Sequence, residues 1–388
     1  MTRTLNLLAF VVFASALFVR SVDPIVPQIA QGLGTDAATA ALLSTAYALP
    51  FAIIQPLLGA LADMFNKARM MLICLAVVAV ATIAGAFVES FSLMVATRVL
   101  AGLGGGGLIP IAFAIVGDLV PVQQRQVAMG RILFAIMSGN LLGATASGAI
   151  GDLLGWRAVF TAMGIVGFAI LAFSIPGLRG VGSRGGGFDL AGMRTGYRNI
   201  FSNPLAKFCF IAVFVEGAFL YGIFPHLAAL FHDMGETRAS IPGLVIGGFA
   251  VGGVIYSLRV GWLLRIFGET WMMRIGGITM GLTIAFIALR APWQVDVVDF
   301  VLLGLGFYML HGVIQIYASE LAPAARGSAM ALHSFFYFLG QAAGPAVYSA
   351  GFTLAGTTPT IAIAGAVLIV NGLIAAHYLR RPAPPSAV

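Results

Sequence analysis

Charged side chains interrupt several long apolar runs of this sequence. Asp23, Arg98, Glu216 and Asp299 each lie within such a run or at its edge. A charge in hydrocarbon is costly, so these side chains are expected to face one another, a polar cavity or a bound ligand. Carboxyls in this setting can take up and release protons, and an arginine can hold a carboxylate. The pattern therefore predicts ion pairing and proton transfer.

Asp23 and Arg98 are predicted to form an ion pair. At 1.5 Å per residue, Asp23 lies about 12 Å from the outer end of the first helix and Arg98 about 10 Å from that of the fourth. Pairing reduces the cost of burying both charges. Arg20 precedes Asp23 by three residues on the same helical face and can compete for it. Protonation of Asp23 would weaken its hold on Arg98, a route to proton coupling; the alternative is a static pair joining two helices.

Glu216 is placed near the centre of the bilayer, about 15 Å into the seventh helix. No basic residue is its neighbour in the sequence. An isolated carboxyl there is expected to be neutral while its surroundings are dry, and to exchange a proton or meet a cationic substrate when they hydrate. The alternative is a protonated core glutamate held by hydrogen bonds.

Four further residues are weaker candidates. His311 and His333 fall in the same third of the membrane, in the tenth and eleventh helices, and are expected to meet near an inner gate. Asp299 and His226 lie near the outer ends of their helices. Interfacial placement or hydrogen-bonded packing is the alternative for each of the four.

The sequence carries no sign of an enzyme. It has no nucleotide-binding loop, no metal-ligand spacing and no nucleophile motif, and no Lys-Ser/Thr follows the glycine-rich run 102–107. Cys74 and Cys209 fall in separate apolar runs, without the spacing of a disulfide or metal site. We therefore expect no catalytic residues, no metal, no cofactor and no ATP-driven step in this chain.

Composition sets the class of protein. Of 388 residues, 60% are hydrophobic and 9% charged, whereas a soluble protein has about 25% charged residues. The net charge is +7, and most Lys and Arg residues fall on one side of the predicted helices. This bias predicts that both termini are cytoplasmic. It also explains the positive charge without a nucleic-acid partner. The first apolar run has no cleavage site and is interpreted as a retained helix.

The sequence predicts an all-α membrane protein with twelve transmembrane helices. A polar stretch rich in Gly, Ser and Arg divides them into an N-terminal six-helix lobe (1–176) and a C-terminal six-helix lobe (204–388), joined by a cytoplasmic linker (177–203) with a short amphipathic helix near 188–200. The predicted spans are 5–32, 38–62, 69–88, 91–117, 128–151, 157–175, 205–231, 240–263, 270–290, 297–319, 327–351 and 360–378.

The two lobes repeat one another. An even number of helices separates the copies, which predicts two parallel lobes related by an axis along the membrane normal. Glycines that permit close helix packing carry the repeat: Gly102 and Gly104 recur as Gly304 and Gly306 at an offset of 202 residues, and Gly139 and Gly143 recur as Gly340 and Gly344 at an offset of 201.

These motifs resemble those of the major facilitator superfamily over essentially the whole chain. Residues 59–69, GALADMFNKAR, resemble the loop motif between helices 2 and 3. The resemblance implies that charged side chains of this loop hold neighbouring helices together, which we call the charge clasp. Arg98 begins a second motif, similar to that of helix 4 in the drug:proton antiporter branch. The residues that match these motifs are Gly59, Asp63, Lys67 and Arg69 in the loop, Gly102 and Gly104 in helix 4, and Gly139, Gly143 and Gly148 in helix 5.

The helix 5 motif departs from the antiporter pattern. Ala144 and Ser147 stand where the pattern has a proline and a glycine. The expected function is still that of a secondary transporter, with proton-coupled efflux of a small amphiphilic or drug-like compound from a bacterial cytoplasm as the leading interpretation. A proton-coupled importer of an organic acid, vitamin or metal chelate is one alternative, and a lipid flippase or non-transporting scaffold is another. The expected partners are the substrate, protons and the lipid bilayer of the bacterial inner membrane, with a monomer as the functional unit.

Overall fold

The computed structural model of the protein describes residues 2–64, 66–181 and 190–379. These residues form helices and no strands. Two 3-10 turns, Asp23–Ile25 and Pro323–Ala325, precede α2 and α13. The α-helices of the described ranges are α1 (Thr2–Arg20), α2 (Val26–Gly32), α3 (Ala37–Met64), α4 (Lys67–Gly85), α5 (Phe91–Leu119), α6 (Val122–Leu154), α7 (Trp156–Gly177), α8 (Leu190–Ser202), α9 (Ala206–Tyr221), α10 (Phe224–His232), α11 (Ser240–Ile287), α12 (Trp293–Glu320), α13 (Arg326–Ala355) and α14 (Thr357–Tyr378).

The first and seventh membrane crossings are broken helices. The first consists of α1 and α2 with the turn Asp23–Ile25 between them. Pro24 and Pro27 lie at this break, where they lack the N–H groups that a continuous helix needs. The seventh crossing consists of α9 and α10, and Pro225 follows its break. The break in the first crossing places Asp23 in an irregular turn inside the protein.

Helix α11 makes two crossings. Its 48 residues correspond to about 72 Å of helix, twice the thickness of a bilayer core. Gly268 interrupts it with φ of 67° and ψ of 168°, a conformation open to glycine. The arm before Gly268 contacts α12 at Gly304 and the arm after it contacts α12 at Gly306, so the chain turns back on itself. The predicted eighth and ninth helices are confirmed as the two arms.

The hydrophobic core is divided in the same way as the sequence. One buried cluster is formed by residues 5–178 together with Ala239, and another by residues 200–379 together with Ala144. Each cluster is enclosed by six crossings. The predicted arrangement of two six-helix lobes is therefore confirmed, and we call them the first and second halves.

The glycine contacts of the predicted helix 4, which is α5 in the structure, repeat between the halves. Gly102 on α5 packs on the carbonyl of Tyr47, and Gly304 on α12 packs on the carbonyl of Phe249, with no room for a Cβ at either glycine. Tyr47 and Phe249 are themselves 202 residues apart. The repeat seen in the sequence is thus a repeat of helix contacts.

The glycines of the predicted helix 5, which is α6 in the structure, also repeat their contacts between the halves. Gly139 packs on the carbonyl of Phe13, and Gly340 packs on that of Phe214, 201 residues further along the chain. Gly104 and Gly143 also approach backbone carbonyls of neighbouring helices, those of Cys74 and Leu17, and Gly148 approaches that of Ala239, just before α11. The close packing expected of these glycines is confirmed.

Part of the predicted linker forms helix α8, at Leu190–Ser202, close to the expected position. Phe65 and residues 182–189 lie outside the described residues. The same holds for the side-chain contacts of Asp63 and the packing of Gly59, on which the predicted clasp partly depends.

The two halves are joined at the end opposite the termini and in the interior. At that end Asp152 accepts hydrogen bonds from the backbone N–H groups of Ala239 and Ser240. Deeper in the interior, Thr45 Oγ1 donates to the carbonyl of Ala342 at 2.6 Å. These contacts close the interface between the halves at the end that lacks the termini.

Candidate functional site

Asp23 is completely buried in the break of the first crossing. Its Oδ2 lies 3.4 Å from Nη1 of Arg20, and its Oδ1 accepts a hydrogen bond of 2.8 Å from Ser44 Oγ. In this conformation Arg20, and not Arg98, is therefore the cationic partner of Asp23. Ser44, on α3, was not anticipated, because a single serine in an apolar helix gives no distinct signal.

The predicted ion pair between Asp23 and Arg98 is not formed. Arg98 is 1% exposed, and none of its three side-chain nitrogens has a hydrogen-bond partner in the described part of the chain. Its guanidinium carbon lies 4.5 Å from the ring centroid of Tyr47. The pair is not formed because Arg20, the last residue of α1, reaches Asp23 in the break that follows it, while Arg98 on α5 stacks on Tyr47. Gly105 allows this stacking, since a Cβ there would meet the Tyr47 hydroxyl.

Arg20 connects the two halves inside the protein. Its Nη2 donates to Oε1 of Gln341 on α13 at 2.7 Å. Its guanidinium carbon also lies 4.3 Å from the ring centroid of Tyr221 and 5.2 Å from that of Phe224. A cation over an aromatic face is stabilised by the ring quadrupole. One arginine of the first half thus holds both Asp23 and three side chains of the second half.

Glu216 is not isolated, contrary to the expectation from the sequence. The fully buried carboxyl lies 2.7 Å from Nδ1 of His311, with Glu216 on α9 and His311 on α12. The expectation failed because the two residues are far apart in the sequence and meet only where α9 and α12 pack together. In the described structure Glu216 Oε1 has no hydrogen-bond partner.

The predicted meeting of His311 and His333 is confirmed. Their ring centroids are 5.0 Å apart and the rings are close to perpendicular. His333, on α13, is buried, and its Nε2 is without a hydrogen-bond partner among the described residues. Glu216, His311 and His333 form a cluster across three helices of the second half, which we call the carboxyl–histidine cluster.

Aromatic rings separate the carboxyl–histidine cluster from the Asp23 site. Tyr337 lies 4.9 Å from the ring of His311 and 5.7 Å from that of Tyr221, on which Arg20 rests. A small cavity next to Arg20, Tyr221 and Gln341 opens between the halves. The other rings that pack around Tyr221 are Phe224, Phe249 and Phe307. The interface therefore combines two buried polar centres with an apolar aromatic wall.

Two of the weaker candidates lie apart from these centres. His226 is buried, with Nε2 at 3.1 Å from the carbonyl of Pro345, and packs against the ring of Phe352. Asp299 lies twelve residues before His311 on α12, which is about 18 Å along the helix. Asp296, only 3% exposed, shares that end of α12 and was not anticipated. Asp299 therefore does not join the carboxyl–histidine cluster.

The loop between the second and third crossings carries a charged contact. Lys67 Nζ donates to Oδ2 of Asp118 at 2.8 Å, which ties the start of α4 to the end of α5. Asn66 caps α4 by accepting a hydrogen bond of 2.9 Å from the N–H of Arg69. In the described ranges no three His, Cys, Asp or Glu side chains are grouped to hold a metal ion.

Two parallel lobes of six membrane-spanning helices around a buried polar interface define a membrane transporter. A family model described as the Major Facilitator Superfamily matches residues 8–255 and 209–388. The chain belongs to the Major Facilitator Superfamily. It is an integral membrane transporter and not an enzyme.

Relatives and solved structures agree with this assignment. The chain is 24% identical over 346 residues to multidrug resistance protein 1 of Bacillus subtilis, covering 89% of this chain and 88% of the relative. It is 24% identical over 381 residues to quinolone resistance protein NorA of Staphylococcus aureus, covering 95% and 96%.

The fold matches solved transporters of different kinds. A bacterial homologue of the human lysosomal transporter Spinster, solved inward-facing and unoccupied, matches with a TM-score of 0.76 at 15% identity, covering 97% of this chain and 96% of the other. A D-xylose–proton symporter matches with a TM-score of 0.76 at 16% identity, covering 96% of both chains. These likenesses concern the fold alone.

Proposed function

We propose that this protein exports small amphiphilic compounds in exchange for protons. Two relatives that align along most of the chain carry names of drug resistance. The observation that carries the proposal is the chain of contacts from Asp23 through Arg20 to Gln341. It links a buried carboxyl of the first half to the second half, as proton-driven movement of the halves requires.

Asp23 acts in this proposal through its hold on Arg20. While Asp23 is ionised, its carboxylate compensates the buried charge of Arg20, which is thereby fixed beside Gln341. When Asp23 takes up a proton, Arg20 loses its counter-charge in an interior where an unpaired charge is costly. The contact between the halves must then rearrange, so proton binding favours a different arrangement of the halves.

Arg98 supplies the second partner for Asp23. It is a buried cation with no hydrogen bond in the described structure, which is an unfavourable state. We propose that Asp23 pairs with Arg20 in this conformation and with Arg98 in the alternative one. The ion pair expected from the sequence then belongs to the other half of the transport cycle.

Substrate and proton compete for the carboxylate of Glu216 in the carboxyl–histidine cluster. Glu216 and His311 at 2.7 Å share one proton, whichever of them carries it. A cationic or hydrogen-bond-donating group of a substrate that approaches Glu216 stabilises the ionised carboxylate and expels that proton. The rings of Tyr221, Phe307 and Tyr337 offer the apolar surface that an amphiphile would contact.

The lobes, the linker and the orientation of the chain complete the proposed transporter. Residues 1–176 and 204–388 form the moving lobes and 177–203 the cytoplasmic linker of a monomer in the bacterial inner membrane. The Lys and Arg bias supports a cytoplasmic position for both termini. The structure is then closed on the outer side.

Everted membrane vesicles test this function. We expect an aromatic cation such as ethidium to accumulate in everted vesicles that contain the protein when their lumen is acidified, and to leave when a protonophore is added. Asp23→Asn should abolish the accumulation, whereas Glu89→Gln, which changes an exposed carboxyl in the same way, should not. Proton-driven uptake of a nutrient into right-side-out vesicles, with no ethidium transport, would establish the importer instead.

A further inference from the structure

We propose that Asp152 is a latch that keeps the transporter closed at the end opposite the termini. It does so by capping helix α11 of the other half. The latch acts on the balance between conformations, whichever compound is carried and whichever ion drives transport.

The contact is made by both oxygens of one carboxylate. Asp152 Oδ1 accepts from the N–H of Ala239 at 2.5 Å, and Oδ2 accepts from the N–H of Ser240 at 2.8 Å. Asp152 lies two residues before the end of α6, in the first half, while Ser240 begins α11, in the second. The latch therefore crosses the interface between the halves.

Helix α11 has no side-chain cap from its own segment. The first N–H groups of any helix lack partners within that helix and are usually satisfied by the side chain that precedes it. Ala239 precedes α11 and has no polar side chain. A carboxylate is a favourable cap because it also complements the positive end of the helix dipole. The other half thus supplies what this helix lacks.

The corresponding helix of the first half is capped differently. Ala37, which begins α3, lies 202 residues before Ala239 and occupies the same place in the repeat. There Asp36 of the same loop accepts from the N–H of Thr39 at 2.9 Å. Helix α3 keeps its cap in every arrangement of the halves, whereas α11 keeps its cap only while the halves touch. Separation at this end therefore removes the protein acceptor of the Ala239 and Ser240 N–H groups at the start of α11.

Close packing aims Asp152 at its target. Gly148, one turn earlier on α6, packs on the carbonyl of Ala239 with no room for a Cβ. The neighbouring cation, Arg238, is occupied by Glu236, with Nη2 at 2.6 Å from Oε2. These hydrogen bonds from Arg238 lower the pKa of Glu236 to about 2. The Asp152 carboxylate accepts its hydrogen bonds from the backbone N–H groups of Ala239 and Ser240, and the positive charge of Arg238 also acts on it.

Spin-label distances test the latch. One label is placed at Glu89 in the first half and one at Gln294 in the second, both exposed near the closed end, on a background without Cys74 and Cys209. We expect Asp152→Ala to raise the ratio of the long-distance to the short-distance population by about fivefold, as expected for the loss of one helix cap. Asp152→Asn, which keeps one acceptor oxygen, should have an intermediate effect.

The matched control is Asp36→Ala, which removes a cap at the same end without breaking a contact between the halves. It should leave the distance distribution unchanged. The latch is excluded if Asp152→Ala gives the wild-type distribution, or if Asp36→Ala shifts it equally. Helix content and elution as a single species would show that each variant remains folded, and Asp152→Asn provides the comparison if Asp152→Ala does not.

Discussion

Arg20 donates a hydrogen bond of 2.7 Å from Nη2 to Oε1 of Gln341, and this bond joins the two halves of the transporter in its buried interior. The same guanidinium lies 3.4 Å from Asp23 Oδ2. A change in the charge of Asp23 therefore acts on a contact between the halves without any intervening group. This short connection is the physical basis of the coupling that we propose.

Gln341 should contribute to the stability of the closed arrangement. Replacing it by Leu leaves Nη2 of Arg20 buried without an acceptor, at a cost of about 1–3 kcal/mol. We expect a lower melting temperature in detergent and a larger population in which the halves separate at the closed end. Thr45→Val is the control, because it removes a neighbouring hydrogen bond between the halves that carries no charge. A melting temperature of Gln341→Leu equal to that of the wild type would show that Arg20 gains nothing from Gln341.

Arg98 should be dispensable for this conformation and required for transport. Because its side-chain nitrogens make no hydrogen bonds in the described structure, Arg98→Gln removes a buried charge without removing a hydrogen-bonded partner. We expect the melting temperature to be unchanged or higher, while proton-driven transport is lost, since Asp23 has no partner in the alternative state. Melting curves and vesicle transport of the same preparation decide this. Normal transport by Arg98→Gln would remove the exchange of partners from the mechanism.

Gly102 should not tolerate a side chain. A Cβ at this position would collide with the carbonyl of Tyr47, so Gly102→Ala forces α3 and α5 apart and should cost about 1–3 kcal/mol. Gly130→Ala is the matched control, since no atom lies within 4 Å of the added Cβ and alanine favours a helix by about 1 kcal/mol. Thermal unfolding should show Gly102→Ala below the wild type and Gly130→Ala at or above it. Equal melting temperatures would contradict the packing described here.

The sequence predicted the fold more completely than the site. Apolar runs of membrane-spanning length and the glycine repeat are properties of local sequence, and the twelve crossings followed from them. The partners of Asp23 and Glu216 depend on which helices pack together and at what rotation, which local sequence does not determine. Arg20, and not Arg98, is the partner of Asp23, because Arg20 ends α1 just before the break that contains Asp23. His311 reached Glu216 from a helix 95 residues away in the chain.

The exchange of substrate for protons that we propose includes competition between the two at Glu216. Wild-type protein should bind a lipophilic aromatic cation, tetraphenylphosphonium, more weakly as pH falls, because the proton and the cation both require the same carboxylate. Glu216→Gln fixes the side chain as neutral while keeping its shape. It should bind the cation weakly at every pH, while its affinity for a neutral aromatic amphiphile should be retained.

The most direct measurement is proton release on binding. Purified protein in weakly buffered detergent is mixed with tetraphenylphosphonium while a pH indicator dye reports the solution. Our account predicts that the wild type releases close to one proton per cation bound and that Glu216→Gln releases none. Binding of the cation by the wild type without proton release, or equal release by Glu216→Gln, would contradict it.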